Sequence, residues 1–163
     1  MIRIRSQPVA GFTLIELFVS LSIISILICL GFSLKTNLVE KNQIKARAED
    51  VKSAIAYARM HALNSGEALV LSHLPNTPDW SQGMMLFVDN RQHQYVTPSQ
   101  FLHEWHWKQQ GIHLTWRGFQ SQDHLIFTPK LSQNAVNGTF ILTDTMNQRR
   151  TLIVNRLGRV KSS

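Results

Sequence analysis

The chain has little cysteine, proline and glycine. Its 163 residues include one cysteine, five prolines and eight glycines. The single thiol, Cys29, excludes a disulfide within the chain and a metal site built on several cysteines. Its stability must therefore come from packing and strand pairing.

The sequence also lacks the motifs of common enzyme classes. Neither Gly-x-Ser-x-Gly nor a glycine-rich phosphate loop occurs, and the seven histidines are scattered. His103 and His106 are three positions apart, but they do not form His-Glu-x-x-His and no third ligand is in register. We therefore predict a protein without catalytic activity, cofactor or bound metal.

Charge is nearly absent from residues 12–34. This segment reads FTLIELFVSLSIISILICLGFSL, and Glu16 is its single charged residue. As an α-helix it would extend about 35 Å, enough to cross a hydrocarbon core of about 30 Å. We predict that it is the transmembrane half of a long N-terminal helix.

Residues 1–11, MIRIRSQPVAG, form a short leader whose only charges are Arg3 and Arg5. A secretory signal peptide has its small-residue cleavage site after the apolar segment, whereas Gly11 precedes it here. Cleavage after Gly11 would leave the hydrophobic helix on the product. The two arginines favour a cytoplasmic leader with the rest of the chain outside, although basic residues also follow the apolar segment.

Gly11, Phe12 and Glu16, followed by the hydrophobic run, resemble the signal of type IV pilins and type II secretion pseudopilins. The resemblance implies cleavage after Gly11 by a prepilin peptidase and N-methylation of Phe12. It also implies a single-pass protein of the bacterial inner membrane whose globular domain is periplasmic and later joins a pilus or pseudopilus. The alternative is an ordinary single-pass anchor.

Glu16 also points to assembly through its own chemistry. A carboxylate in hydrocarbon costs at least about 2.5 kcal/mol and usually has a partner, but no basic residue lies between Arg5 and Lys35. We therefore predict that Glu16 is protonated or is neutralised from outside the chain. In pilin-like filaments that partner is the amino terminus of another subunit, here Phe12.

Residues 35–65 are amphipathic and predict a second half of the same helix. Apolar residues recur at spacings of three, four and six: Leu38, Ile44, Ala48, Val51, Ile55, Ala58 and Ala62. No proline interrupts residues 12–65, which predicts one helix of roughly 50 residues. Gly66 is suited to the left-handed conformation that ends it.

Residues 66–163 change to a period of two and predict a β-rich domain. The candidate strands are Ala68–His73, Met84–Asp89, Ile112–Trp116, Leu125–Thr128, Thr139–Thr143 and Arg150–Asn155. The segment Pro98–Gln110 could cap the sheet or contain a short helix. We predict an α+β fold in which the long N-terminal helix packs on a mainly antiparallel sheet. The four tryptophans could stack nucleic-acid bases, but core packing is the better interpretation.

The globular part resembles the GspH/FimT type of pilin-like protein. The resemblance rests on Trp80-Ser-Gln-Gly83 before a strand ending in Val88-Asp89, and on the closing segment Leu157-Gly158-Arg159. Two features depart from that pattern: the glycine usual after Phe127-Thr-Pro129 is missing, and Lys161 replaces a second arginine. Lys161 keeps the charge but loses the bidentate guanidinium.

The C-terminal part of the chain is strongly basic. Residues 12–116 have no net charge, whereas residues 117–163 contain seven basic and two acidic side chains. The basic residues are Arg117, Lys130, Arg149, Arg150, Arg156, Arg159 and Lys161. Charged edge strands and soluble tails offer one explanation, and a surface for polyanions offers another.

Two functions are consistent with this sequence. The first is a minor pilin whose basic residues bind the phosphates of double-stranded DNA without sequence preference, since the resemblance to FimT-type proteins implies DNA capture during natural transformation. The second is a structural pseudopilin of type II secretion, which the resemblance to GspH-type proteins implies. Other pilins or pseudopilins are the expected partners in both.

Overall fold

The computed structural model describes residues 13–96, 101–107 and 111–163, without the side chains of residues 30–41 and 131. The leader, Gly11 and Phe12 lie outside the described residues. The chain divides into two compact units, Met1–Val39 and Glu40–Ser163. In the first unit every described side chain, from Thr13 to Cys29, is exposed.

One helix, α1, covers Leu14–Ser65 and confirms the predicted continuous helix. Gly66 ends it with a φ of 74°, and its amide donates to the carbonyl of Ala62 at 3.2 Å. The membrane span predicted for residues 12–34 is not confirmed. Within the described part of the chain, we find no helix that is both long and apolar enough to cross a membrane.

The second unit contains eight strands among the described residues. They are β1 (Leu69–His73), β2 (Gly83–Val88), β3 (Phe101–His106), β4 (His113–Gly118), β5 (His124–Phe127), β6 (Gly138–Thr143), β7 (Arg149–Val154) and β8 (Val160–Ser162). They form two four-stranded antiparallel sheets, in the orders β3-β2-β1-β5 and β4-β6-β7-β8. The α+β class is confirmed, but the single sheet expected from the sequence is two, because β5 returns to pair with β1.

The segment that the sequence left unassigned contains an edge strand rather than a cap or a short helix. β3 pairs antiparallel with β2, with Met84 opposite Trp105 and Leu86 opposite His103. Residues 98–100 and 108–110 lie outside the described residues. His103 and Trp105 share the face that packs on Tyr57 of α1. Because the polar ring of His103 occupies an inner position, the sequence does not show the alternation of apolar and polar residues expected of a strand.

The C-terminal tail also forms a strand that the sequence analysis missed. β8 folds back on β7, pairing Val160 with Val154 and Lys161 with Ile153. The chain turns at Gly158, and this turn connects two strands instead of releasing a free tail. A strand of three residues is too short to show a period in sequence.

The core of the second unit lies between one face of α1 and both sheets. The helix contributes its small buried residues, among them Ala48, Ala58 and Ala62, and the sheets contribute large ones such as Phe127 and Phe140. Trp80 and Trp116 are buried, and both rings pack on Phe140. These two tryptophans therefore belong to the core, as the sequence suggested.

Candidate nucleic-acid interface

The turn between β7 and β8 is organised by Asn155. Its backbone carbonyl accepts from the amide of Gly158 at 2.9 Å, and its amide donates to the carbonyl of Arg159 at 3.0 Å. Its side-chain oxygen accepts from the amides of Leu157 and Arg159 at 3.0 and 2.9 Å. The turn thereby presents Arg156 and Arg159 as exposed residues on a fixed backbone.

Gly158 is required at this turn for two reasons. Its φ of 71° is in the left-handed region that favours glycine. A side chain there would also lie 3.3 Å from Cδ of Arg59 and 3.3 Å from Cε1 of Phe127. The turn therefore packs closely on the helix and on β5.

Arg156 joins the turn to the loop that carries Lys130. Its Nη2 donates to the carbonyl of Ser132 at 2.7 Å. The loop is itself fixed, because the side-chain oxygen of buried Asn134 accepts from the amide of Thr128 at 2.7 Å. Exposed Lys130 therefore lies on the same end of the domain as Arg156.

Helix α1 adds two basic residues that the sequence analysis did not include. Lys52 and Arg59 line a groove of about 630 Å³ together with Arg159. Lys52 also forms an ion pair with Glu49 at 2.8 Å, and that hydrogen bond lowers the pKa of Glu49. Lys52 and Arg59 are seven positions apart, so they lie on the same face of the helix, beside its apolar stripe. This spacing in the sequence could have identified them as neighbours.

Strand register divides the remaining basic residues between two ends of the second sheet. Arg117 pairs with Thr139, Thr139 with Ile153, and Ile153 with Lys161, so Arg117 and Lys161 share one row. Arg149 is four residues from Ile153 along β7, roughly 13 Å away. Arg117 and Lys161 thus lie at the end of the sheet that carries the turn, but on opposite edges, about 14 Å apart across three strand spacings. Arg149 lies at the far end.

Arg150 is committed to contacts within the domain. Neighbouring residues of a strand point to opposite faces, so Arg150 lies on the face opposite to Arg149. Its Nε donates to the hydroxyl of Ser162 at 3.1 Å, and its charge contributes to the lowered pKa of Glu49 on α1. This arginine is therefore less available to a ligand than those of the turn.

The structure therefore gathers six basic residues at one end of the domain, which we name the turn cluster. Its members are Lys52, Arg59, Lys130, Arg156, Arg159 and Lys161. Among the described residues, the ion pairs of these side chains are limited to that of Lys52 with Glu49. The other members can bind an anion without breaking an existing ion pair.

Glu16, predicted to act in filament assembly, is hydrogen-bonded to Thr13, three residues earlier in the chain. The amide and the hydroxyl of Thr13 donate to its Oε2 at 3.0 and 2.9 Å. The pattern Thr-x-x-Glu is a capping box, a signal in the sequence that was overlooked. Glu16 therefore caps the start of α1 as well as carrying a charge.

The two histidines considered as metal ligands both lie on β3, three residues apart, and therefore point to opposite faces of the sheet. His103 packs its ring 4.4 Å from that of Trp105, whereas Nε2 of His106 lies 2.9 Å from Glu104. Within the described residues, no group of three histidine, cysteine or acidic side chains could hold a metal ion.

Comparison with known proteins places these observations in a family. Residues 47–158 match the family described as Type II transport protein GspH. Two crystal structures of the type IV minor pilin FimU of Pseudomonas aeruginosa strain PAO1 have the same fold. The first has a TM-score of 0.60 at 19% identity and covers 76% of this chain and 90% of that chain. The second has a TM-score of 0.55 at 20% identity, covering 73% and 91%. A search of curated proteins found no significant match.

Proposed function

The chain belongs to the GspH family, and from that premise we propose that it is a minor type IV pilin that binds double-stranded DNA during natural transformation. Binding occurs without sequence preference through the basic C-terminal region. Prepilin peptidase cleaves after Gly11, Phe12 is methylated, and residues 12–34 anchor the subunit in the inner membrane with its globular domain in the periplasm. Glu16 then directs incorporation into the filament, and the protein catalyses no reaction.

The turn cluster is the observation that carries the DNA-binding proposal. Arg156 and Arg159 flank a fixed turn, and Lys130 and Lys161 lie on the same end of the domain. Captured DNA has no fixed sequence, so affinity must come from phosphate contacts rather than from the base edges. A group of cations on a fixed turn suits that task, because its backbone need not be ordered on binding.

The test compares two double variants of the full-length chain in detergent. Arg156→Gln with Arg159→Gln removes two charges from the turn cluster, and Arg91→Gln with Arg149→Gln removes two charges elsewhere. Affinity for a labelled duplex is measured by fluorescence anisotropy. We expect a loss of about tenfold or more for the first variant and at most about threefold for the second. Equal losses would show that net charge, and not the turn cluster, determines binding.

A structural role in type II secretion is the second candidate, and the family description favours it, since it names type II transport. In that role the same basic surface contacts other pseudopilins. Deletion of the gene separates the two candidates. Loss of exported proteins with unchanged DNA uptake supports the secretion role, and the reverse result supports the DNA-binding pilin.

A further inference from the structure

Among the described residues, the outer edge of β8 has backbone groups without a hydrogen-bond partner. Thr151 and Ser163 exchange both backbone hydrogen bonds, at 3.4 and 3.0 Å, and Asn155 donates to Arg159 at 3.0 Å. Pairing alternates along an antiparallel ladder, so the amides and carbonyls of Val160 and Ser162 point away from β7. Among the described strands, β7 is the only neighbour of β8.

Two other sheet edges are closed by contacts within the chain. On edge strand β4, the amide of Leu114 donates to the hydroxyl of buried Ser81 at 2.9 Å. On edge strand β5, Ile126 exchanges backbone hydrogen bonds with Ala135 at 3.1 and 2.9 Å. Proteins commonly cover such edges because an open one invites another strand. In the described part of the chain, no such contact covers the edge of β8.

The open edge adjoins the groove described above. Ala56, Met60 and Leu63 of α1 form its apolar lining, and Val160 of β8 lines the opposite side. Met60 is 63% exposed and Leu63 is 42% exposed. A strand added beside β8 would direct every second side chain towards this lining, since side chains alternate between the faces of a sheet.

The charge of the groove selects the kind of strand. Arg59 and Arg159 line it, and the buried Nε of Arg59 has no hydrogen-bond partner in the described part of the chain. Lys52 is already paired with Glu49. Two guanidinium groups beside an apolar lining fit a segment that carries both carboxylates and apolar side chains.

We propose that the edge of β8 and its groove bind an extended segment of another filament subunit by β-strand addition, and that the groove-facing side chains of this segment are partly acidic and partly apolar. Backbone pairing with Val160 and Ser162 supplies affinity. The arginines and the apolar lining supply selectivity. The proposal rests on the proposed function only in that the partner belongs to the same filament, and it does not require DNA binding.

The experiment measures binding of a labelled synthetic peptide of the repeat Glu-Ser-Val-Ser, which places Glu and Val on one face of a strand, to the full-length chain in detergent. Val160→Pro removes an amide that points away from β7, so the β7–β8 hydrogen bonds remain, and Val160→Thr keeps that amide as the control. We expect Val160→Pro to weaken peptide binding about tenfold or more and Val160→Thr to leave it within about twofold. A peptide N-methylated at its pairing amides gives the same loss with the unmodified protein, which keeps the test valid if the proline variant does not fold.

The same binding assay tests whether the groove selects acidic peptides, and it separates peptide binding from DNA binding. A peptide of the repeat Lys-Ser-Val-Ser should not bind, and Arg59→Lys should retain more affinity for the acidic peptide than Arg59→Gln. Lys130→Gln with Arg156→Gln, both outside the groove lining, should weaken DNA binding and leave peptide binding unchanged. If this double variant left the DNA affinity unchanged, the result would count against the proposed function but not against strand addition.

Four results would overturn the strand-addition proposal. One is that the acidic peptide does not bind, and another is that binding is insensitive to both Val160→Pro and N-methylation. The third is that Val160→Pro weakens DNA binding as much as peptide binding, which would assign the groove to DNA. Self-association of the chain that Val160→Pro abolishes would likewise assign the edge to a second copy.

Discussion

At the scale of single residues, small polar groups and glycines determine where the functional side chains lie. Asn155 makes four hydrogen bonds within the turn between β7 and β8. Gly158 leaves room for Arg59 beneath that turn. Neither residue contacts a ligand in our proposals, but both fix the residues that do.

Asn155 provides the first prediction. Asn155→Ala removes the acceptor of two backbone amides in an exposed turn, so we expect a loss of about 1 kcal/mol in the free energy of unfolding. DNA affinity should fall as well, because Arg156 and Arg159 lose their fixed positions. Asn155→Asp retains the acceptor oxygen and is the control. Denaturant unfolding and duplex anisotropy measure the two effects.

Gly138 gives a second prediction within the core. It lies opposite Gly118 in the ladder between β4 and β6, and a Cβ at Gly138 would meet the indole of buried Trp116 and the carbonyl of Arg117. Gly138→Ala should therefore lower the free energy of unfolding by about 1–3 kcal/mol. Thr115→Ala, on the exposed face of the same sheet, should change it by less than about 0.5 kcal/mol. Equal free energies of unfolding for the Gly138→Ala and Thr115→Ala variants would contradict this account of the packing.

Glu16 provides a prediction about filament assembly. Glu16→Gln retains an oxygen that can accept the hydrogen bonds of Thr13 but removes the charge. If the charge directs assembly, the Gln variant should be absent from sheared filaments even though it is cleaved and membrane-bound. Immunoblotting of filament and membrane fractions decides the matter, and normal incorporation of the Gln variant would assign Glu16 to helix capping alone.

At the scale of secondary-structure elements, the sequence predicted the parts with a clear period. The length of α1, its end at Gly66 and six of the eight strands followed from apolar spacing. β3 was missed because His103 occupies an inner position, and β8 because three residues show no period. The sequence did not predict which strands pair, because that choice depends on tertiary packing and not on the pattern within a single segment. The strands therefore form two sheets although each shows the same alternating pattern.

The candidate site was only partly predictable for a related reason. Arg156, Arg159 and Lys161 are close in sequence, and their composition alone indicated a basic surface. Lys52 and Arg59 are about a hundred residues away in sequence and join them only because Gly158 packs on the helix. A long-range contact of this kind leaves no local signal.

The start of β5 carries a prediction about pH. Burial lowers the pKa of His124, the nearby charge of His93 lowers it further, and Asp123 and Asp89 oppose the shift. Because the folded pKa is below the unfolded one, the unfolded chain binds more protons under acidic conditions. The contribution of His124 to stability should therefore be complete above the unfolded pKa of about 6.5 and decline as the pH falls through it.

His124→Gln should make the free energy of unfolding less dependent on pH in this range. Its control is His61→Gln, which removes a partly exposed histidine from α1. Denaturant titrations at a series of pH values between about 8 and 5 measure the effect. An unchanged pH profile for His124→Gln would show that His124 does not couple folding to protonation.

At the scale of the whole molecule, the placement of charge matters more than its total. The chain has a formal net charge of +7, and most of this excess comes from residues 117–163. The fold then concentrates it further, since the turn cluster lies at one end of the domain and Arg149 at the other. A localised positive potential steers polyanions to one face instead of attracting them everywhere.

Salt dependence gives a prediction at this scale. If about four members of the turn cluster contact phosphates, the logarithm of the DNA association constant should fall with the logarithm of salt concentration with a slope of about −4. Arg156→Gln with Arg159→Gln should reduce that slope to about −2, whereas Arg91→Gln with Arg149→Gln should not change it. A slope near zero for the unmodified chain would contradict phosphate binding.

The shortness of β8 has a consequence for hydrogen exchange. β8 joins the sheet through three residue pairs, all with β7, so it can detach without disturbing the layers behind it. Local opening of this kind costs less free energy than global unfolding. Deuterium should therefore replace the amide proton of Lys161 faster than those of β6, which has a neighbour on each side. A ligand on the outer edge of β8 would slow that replacement.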